Sequence, residues 1–492
     1  MCSSDLTPWK GPARGFSFKR DVQPALDKFC VGCHDGQREE NGRKLPDFTR
    51  KERNGTNNFT PAYLALHPFV RRPGPESDYH VLKPREFGAN TSELIQMLEK
   101  GHHNVKLDAD AWDRLYTWID LNVPDHGTWA EHREIPGNFH ARRMEMRTRY
   151  ANRPEDPEII PALDQTPVAF VAPEPESARV KENFKGNGWS FDAQTAAARQ
   201  GTLAPEVKRT VDLGDGVAMD LVLVPSGSYA MGSEDGCADE KPAAKVQIAE
   251  PFWMGAVEVT NAQYRQFDPQ HDSGFIDQAN KDHTTPGYSA QAPNNPVIRI
   301  TWAEAMAFCR WLSEKTGQAV SLPTEAQWEW ACRAGSDAPF WYGRMDADFS
   351  KCANLADQSI KLLAVAGINP QPIANPSPFD AFLPRDDRFD DGARIVTEVA
   401  KYQPNPWGLY DMHGNVAEWT LSSYRPYPYA DNDGRNGLDG AEKKVVRGGS
   451  WFDRPHRATA SYRLAYDTWQ PVYNVGFRVV IKAQDVAAVA KR

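Results

Sequence analysis

Prolines gathered in one short stretch divide this chain into parts that are expected to fold separately. The stretch holds six prolines among acidic residues: Pro154, Pro157, Pro161, Pro167, Pro173 and Pro175. Because proline fixes φ and lacks an amide donor, little regular structure is expected there. We predict a linker over residues 131–204, between a helical domain at 15–130 and a larger domain at 205–483, with a tail at 484–492.

Length and charge narrow the class of protein. A chain of 492 residues with 40% hydrophobic residues can build two or three cores. The net charge of -9 argues against a nucleic-acid partner, which needs clustered basic residues. No apolar run is long enough to form a transmembrane segment.

The beginning of the chain bears on its localisation. No signal peptide follows Met1, and the sequence is polar from the start. Because residues 2–6 match the translation of a common sequencing adapter, we expect the natural N-terminus to be missing. A signal peptide is expected to be missing with it.

Three helices are predicted in the first domain, at Phe18–Phe29, Ser92–Glu99 and Asp108–Asn122. Asp108 is suited to cap the third helix. That helix has an apolar face at spacings of three and four, formed by Ala111, Trp112, Leu115, Trp118 and Ile119.

Cys30-Val31-Gly32-Cys33-His34 is the pattern of covalent c-type haem attachment. Cys30 and Cys33 are expected to form thioethers with the haem vinyl groups, and His34 to bind the iron as the proximal ligand. A zinc site would need further ligands at matched spacing, and the sequence has no second Cys pair of this kind.

The segment Phe18–Leu26, followed by the Cys pair, resembles the small class I cytochrome c domains. In these domains a loop before the last helix commonly supplies a methionine as sixth ligand. The corresponding loop here contains His102 and His103, either of which is a candidate distal ligand. Met97, His67, His80 and the absence of a protein ligand remain alternatives.

Short strands separated by Gly, Asn and Pro are predicted after residue 205, at Met219–Val224, Phe252–Val259 and Val475–Val480. Helices are predicted at Ala303–Thr316 and Glu325–Ala334. Sequence blocks in this region resemble the formylglycine-generating-enzyme, or sulfatase-modifying-factor, family, and they occur in the family order. The blocks include Leu322–Glu329, Asn405–Met412, Gly414–Trp419, Val446–Trp451 and Gly476–Arg478.

The resemblance implies a mixed α/β, loop-rich fold related to C-type lectins, and therefore a multi-domain chain with a small all-α haem domain in front. It also implies two structural calcium sites. One would use Asp411 and Glu418 with the carbonyls of Gly414 and Val416. The other would use Asn354 and Asp391 with the carbonyls of Leu355 and Ala393. Oxygen ligands of these kinds suit Ca²⁺.

The resemblance fails at the family's catalytic cysteines, which bind Cu(I) shortly after a Gly-Gly-Ser block. Asp453 and Ala458 occupy the aligned positions, so formylglycine generation is not expected. Cys309 and Cys332 lie where the family has disulfide cysteines, but the usual partner positions are empty. They are expected to be buried thiols or a pair with each other.

Polar residues near the former catalytic surface could bind a ligand, carry acid–base chemistry or form a salt-bridge network. They are Asp453, Arg454, His456, Arg457, Tyr462, Arg463, Tyr466 and Trp469. Asp453, His456 and Arg457 are the catalytic candidates. Ergothioneine-type sulfoxide synthases share a similar domain, but their H-x-x-x-H pattern does not stand out here.

Three functional hypotheses remain open. The first is a periplasmic or otherwise extracytoplasmic c-type haem protein that transfers electrons to a partner protein, with a second domain that binds a ligand. The second is an oxidoreductase with a non-cysteine active site in the C-terminal domain. The third is a non-catalytic binding protein whose haem only stabilises the first domain.

Overall fold

The computed structural model describes residues 14–40, 43–52, 59–70, 86–156, 158–159, 166–174, 188–204, 206–276, 287–363, 383–439 and 441–483. They fall into two compact units. The N-terminal unit lies within residues 1–72 and 87–176, and the C-terminal unit within residues 73–86 and 177–492.

Helices dominate the N-terminal unit, as predicted. They are α1 (Gln23–Phe29), α2 (Pro61–Leu66), α3 (Glu93–Glu99), α4 (Ala109–Asp120), α5 (Trp129–His132) and α6 (Phe139–Ala151), and a small ladder joins β1 (Glu39–Glu40) to β2 (Arg43–Lys44). Asp108 caps α4 by accepting a hydrogen bond of 2.8 Å from the amide of Ala111. Trp118 on α4 is fully buried against Phe18 and Tyr63, so the predicted apolar face forms the core.

Two helices lie among the described residues of the span 131–204, where little regular structure was predicted. They are α6 and α7 (Ala193–Gly201). The prediction is wrong for these segments because the prolines lie outside both helices, which contain good helix formers such as Ala, Arg and Met.

The α7 segment packs on the C-terminal core. The Gln200 amide donates hydrogen bonds to the carbonyl oxygens of Leu223 and Trp407, at 2.9 and 3.0 Å. Trp189 packs against Trp330 with ring centroids 5.7 Å apart. Residues 188–201 are therefore part of the C-terminal unit, which begins upstream of residue 205.

Strands β3 to β15 and helices α8 to α10 complete the C-terminal unit. Among its described residues, one sheet has the order β10 (Val320–Ser321), β15 (Val480–Lys482), β7 (Phe252–Gly255), β4 (Val217–Val224) and β3 (Lys208–Gly214). A second sheet has the order β13 (Leu464–Tyr466), β12 (Lys444–Arg447), β11 (Ala417–Ser423) and β14 (Val475–Gly476). Two hairpins pair β5 (Gly227–Met231) with β6 (Ala244–Ile248), and β8 (Phe275–Ile276) with β9 (Tyr288–Ser289). The neighbours are antiparallel except β11 and β14.

The remaining helices are α8 (Asn261–Tyr264), α9 (Trp302–Thr316) and α10 (Glu325–Arg333). Reciprocal capping boxes start all three, with Thr260, Thr301 and Thr324 as the capping residues. The predicted helices of this unit are confirmed to within one residue at each end. Short strands, loops and two long helices make this a mixed α/β unit, as predicted.

Candidate functional site

The Cys-x-x-Cys-His motif follows the last turn of α1. The amides of Cys33 and His34 both donate to the carbonyl oxygen of Cys30, at 3.0 and 2.9 Å, so the chain turns tightly. Both cysteines are free thiols. Burial and the neighbouring Cys33 raise the pKa of Cys30 to about 12, so its sulfur is protonated at pH 7.

The His34 ring is held in one orientation. Its Nδ1 lies 3.2 Å from the carbonyl oxygen of Pro46, and its ring stacks on Phe48 at a centroid distance of 4.6 Å. A carbonyl can only accept, so the proton lies on Nδ1 and the lone pair on Nε2. A hydrogen bond of this kind, made by the other ring nitrogen, orients metal-binding histidines.

The structure distinguishes His102 from His103. His102 is half-buried, and its ring centroid lies 6.1 Å from that of His34, with the ring planes inclined by 26°. Burial lowers its pKa to about 4, with smaller effects from His103 and His34, so the imidazole is neutral at pH 7. His103 is exposed and has a left-handed backbone with φ of 44°.

The other ligand candidates lie elsewhere. Met97 packs against the apolar core, and His67 is buried with its ring 5.5 Å from that of Tyr63. His80 lies outside the described residues. The structure thus brings together Cys30, Cys33, His34 and His102, and their thiol and neutral imidazole groups fit the donor set that covalent haem requires.

The first predicted calcium set lies in a buried acidic cluster. Arg478 forms a bidentate ion pair with Glu418, with Nη2–Oε1 and Nε–Oε2 distances of 2.6 and 2.7 Å. Asp411 is buried, and burial raises its pKa to about 6. Gly414 has φ of 85°, and a Cβ there would overlap the Asn354 carbonyl, so only glycine fits this turn.

Glu258 belongs to the same cluster, and sequence reasoning missed it. It is fully buried, and its pKa is raised well above normal by burial and by the neighbouring Asp411. Within the described residues, Oε2 of Glu258 and Oδ1 of Asp411 have no hydrogen-bond partner. Three buried carboxyl groups share one guanidinium, and a bound cation would favour their ionised forms.

The second predicted calcium set is also assembled. Asp391 accepts hydrogen bonds from the amides of Leu355 and Ala393, at 2.8 and 2.7 Å. Burial and the neighbouring Asp357 raise the pKa of Asp391 to about 7. Oδ1 of Asn354 is buried and has no hydrogen-bond partner in the described part of the chain. The donors fit a hard cation such as Ca²⁺.

A buried ion pair forms at Asp453, where the family resemblance predicted one of the altered catalytic positions. Oδ1 of Asp453 accepts from Nε of Arg457 at 2.6 Å, and Oδ2 accepts from the amide and hydroxyl of Ser450 at 3.0 and 2.7 Å. Arg457 also donates to the Tyr462 hydroxyl at 2.9 Å. Both carboxylate oxygens are therefore engaged, as in a structural network rather than in a general base.

Three of the other polar candidates differ in their surroundings. His456 is exposed. Arg463 is fully buried and pairs with Glu325 at 2.6 Å, and Tyr466 lies in the hydrophobic core.

Cys309 and Cys332, which were expected to be buried thiols or a pair with each other, form no disulfide. They are buried in different hydrophobic clusters. Sγ of Cys332 lies 3.4 Å from Nε2 of His413, whose Nδ1 donates to the Ala458 carbonyl at 2.7 Å. Burial lowers the pKa of His413 to about 4. Both groups are neutral, fully buried and hydrogen-bonded.

Comparison with known proteins identifies the family of the C-terminal part of the chain. The model of the "Sulfatase-modifying factor enzyme 1-like domain" matches residues 213–483, more than half of the chain. The chain belongs to the sulfatase-modifying-factor family. The match covers both sheets except most of β3, together with both predicted calcium sets and the Asp453 region.

Relatives in this family include both inactive and active proteins. "Inactive C-alpha-formylglycine-generating enzyme 2" of Bos taurus is 26% identical over 317 residues, which cover 55% of this chain and 90% of the relative. "Formylglycine-generating enzyme" of Bos taurus is 24% identical over 306 residues, and the match covers 52% of this chain and 73% of the relative. The solved structure of PvdO from Pseudomonas aeruginosa is 23% identical in sequence. The match covers 56% of this chain and 98% of PvdO, with a TM-score of 0.41.

Among the described residues of this chain, no helix is long and apolar enough to span a membrane.

Proposed function

We propose that this chain is an extracytoplasmic c-type haem protein that exchanges electrons with a partner protein. Its sulfatase-modifying-factor domain would bind a ligand or partner without catalysing formylglycine formation. One observation supports the haem proposal: the His102 ring lies near that of His34, which directly follows the motif cysteines, at a centroid distance of 6.1 Å with the ring planes inclined by 26°. Covalent haem attachment of this type occurs outside the cytoplasm, which supports the periplasmic assignment.

The residues near the motif supply the donor groups that a covalently bound haem needs. Cys30 and Cys33 would anchor the group through thioether bonds, and His34 and His102 would hold its iron. Bound haem would supply one-electron chemistry, with a lower potential than His/Met ligation gives.

The residues of this site would each have a separate task. The Pro46 carbonyl orients His34 through Nδ1. The low pKa of His102 keeps its imidazole unprotonated, and therefore able to bind a metal, at neutral pH. His103, exposed at the adjacent position, offers a matched control.

The C-terminal domain supports a binding role rather than catalysis. Its aligned catalytic positions hold Asp453, engaged with Arg457 and Ser450, and the buried Ala458. Calcium would stabilise the domain at Asp411 and Glu418, with the carbonyls of Gly414 and Val416. A second ion would bind at Asn354 and Asp391, with the carbonyls of Leu355 and Ala393.

The test is to express the chain behind a signal peptide in a host that matures c-type cytochromes. A pyridine haemochrome spectrum of the denatured protein should show covalently retained haem. His102→Ala should change the oxidised spectrum from low-spin towards high-spin, whereas His103→Ala should leave it unchanged. Absence of covalent haem, while a control cytochrome matures, would contradict the haem proposal. A spectral change in His103→Ala alone would contradict the ligand assignment.

A further inference from the structure

The predicted linker includes a segment that contacts the Cys-x-x-Cys-His motif. Residues 166–174, which we call the strap, have no regular secondary structure. The Val171 amide donates a hydrogen bond of 2.8 Å to the carbonyl oxygen of Lys28 in α1. The Phe170 ring lies on Gly32, where a Cβ atom would overlap it. Glycine between the two cysteines therefore allows the ring to approach the motif backbone.

The far end of the strap contacts the loop that carries His102. The side-chain amide of Asn104 donates to the Glu174 carbonyl at 3.1 Å. Nζ of Lys106 pairs with the Glu174 carboxylate, also at 3.1 Å. Asn104 is two residues from His102, so this end of the strap is attached beside the second imidazole.

A third contact lies before Phe170. Val168 lines a cavity of about 190 Å³ together with residues of α1 and α4, including Phe29 and Ala111. The strap thus contacts α1, then the motif, and finally the His102 loop. A segment of seven residues, 168–174, therefore connects the two loops that hold His34 and His102.

We infer that residues 168–174 form a wall of the haem site and restrict the access of small molecules and redox partners to it. This inference rests on the proposed haem function. Phe170 would cover the side of the site that carries Cys30 and Cys33. The contacts of Glu174 would hold the strap against the loop that carries His102. The assignment also makes the strap part of the haem-binding unit.

The strap is built to open more easily than the helical core. Phe170 and Val171 remain 38% and 45% exposed, and the Lys106–Glu174 pair is exposed on both sides. Exposed ion pairs contribute little. Segments with few buried contacts open locally at low free-energy cost. The Val171 amide bond and the Phe170 ring are therefore the contacts whose loss should matter most.

The experiment compares four variants of the full chain. Val171→Pro removes the amide donor, and Val171→Ala removes a similar part of the side chain but keeps the donor. Phe170→Ala removes the ring over Gly32. Phe139→Ala removes an aromatic side chain that is 64% exposed on α6, outside the strap. Each protein is first assayed for covalent haem by the pyridine haemochrome spectrum. The rates of reduction by ascorbate and of cyanide binding are then measured.

We expect Val171→Pro to increase both rates about fivefold, the factor for losing one neutral hydrogen bond from a locally opening segment. Phe170→Ala should also increase both rates, because it removes the ring that packs on Gly32. Val171→Ala and Phe139→Ala should retain the wild-type rates. Wild-type rates in all four haem-loaded variants would overturn the strap assignment and leave the haem proposal intact. No covalent haem in any protein, wild type included, would overturn both.

Discussion

Replacing Asp453 by asparagine should destabilise the C-terminal unit strongly, although the two side chains have the same shape. The carboxylate and the Arg457 side chain are only 5% and 7% exposed. Its two oxygens serve different donors, Nε of Arg457 and the amide and hydroxyl of Ser450. Asparagine has a single acceptor oxygen, so one of these donor groups would face an NH₂ group.

The expected cost follows from burial of the cation. Removing one partner of a buried ion pair leaves the other charge uncompensated, which costs about 3–5 kcal/mol. Asp453→Asn should lower the free energy of unfolding by this amount. Arg457→Met combined with Asp453→Asn should lose less than the sum of the two single variants, because the unpaired cation is then absent.

The assay is urea denaturation of the full chain, following the tryptophan fluorescence transition of the C-terminal unit. Asp439→Asn, at an exposed position in the same unit, is the matched control and should change stability by less than about 0.5 kcal/mol. A loss below about 1 kcal/mol in Asp453→Asn, or purely additive losses in the double variant, would refute the reasoning.

Three further predictions concern the C-terminal unit. Burial lowers the pKa of His413 to about 4 in the folded state, against about 6.5 in the unfolded chain. The contribution of neutral His413 to the free energy of unfolding is therefore fully present above about pH 6.5 and is lost as the pH falls through about 4. The loss is about 3 kcal/mol, and His413→Gln should flatten the dependence of unfolding free energy on pH. Calcium should raise the melting temperature of the wild type, and a chelator should reverse the increase. Asp411→Asn should show a smaller calcium-induced increase, and an increase equal to that of the wild type would contradict the first site. Glu258→Gln should weaken the calcium response more than Glu442→Gln, which alters an exposed ion pair; equal effects would place Glu258 outside the site.

The local elements of this fold could be predicted because their causes are local. The apolar face of α4 and the capping threonines of α9 and α10 can be read from a few neighbouring residues. Helix α7 was missed because proline composition was averaged over a long span. Its packing depends on Gln200 contacting Leu223 and Trp407, which are distant in sequence.

The candidate sites show the same division between local and long-range signals. The motif from Cys30 to His34 is contiguous, so it could be recognised directly. The choice between His102 and His103 could not be made because the two residues are adjacent, and only the folded structure shows the His102 ring near that of His34. Glu258 escaped notice because it joins Asp411 only through tertiary packing.

The turn at Gly414 has a consequence for how calcium would bind. Asn354 pairs with Gly414 in a backbone bridge, and the Asn415 amide donates to the Asn354 carbonyl at 2.9 Å. One residue of the second predicted site thus lies directly against the turn of the first. Filling either site would restrain the same peptide groups, so each ion should increase the affinity for the other by an equal factor. A calcium titration of the domain should then be cooperative, and disrupting the turn with Gly414→Ala should weaken both binding events together.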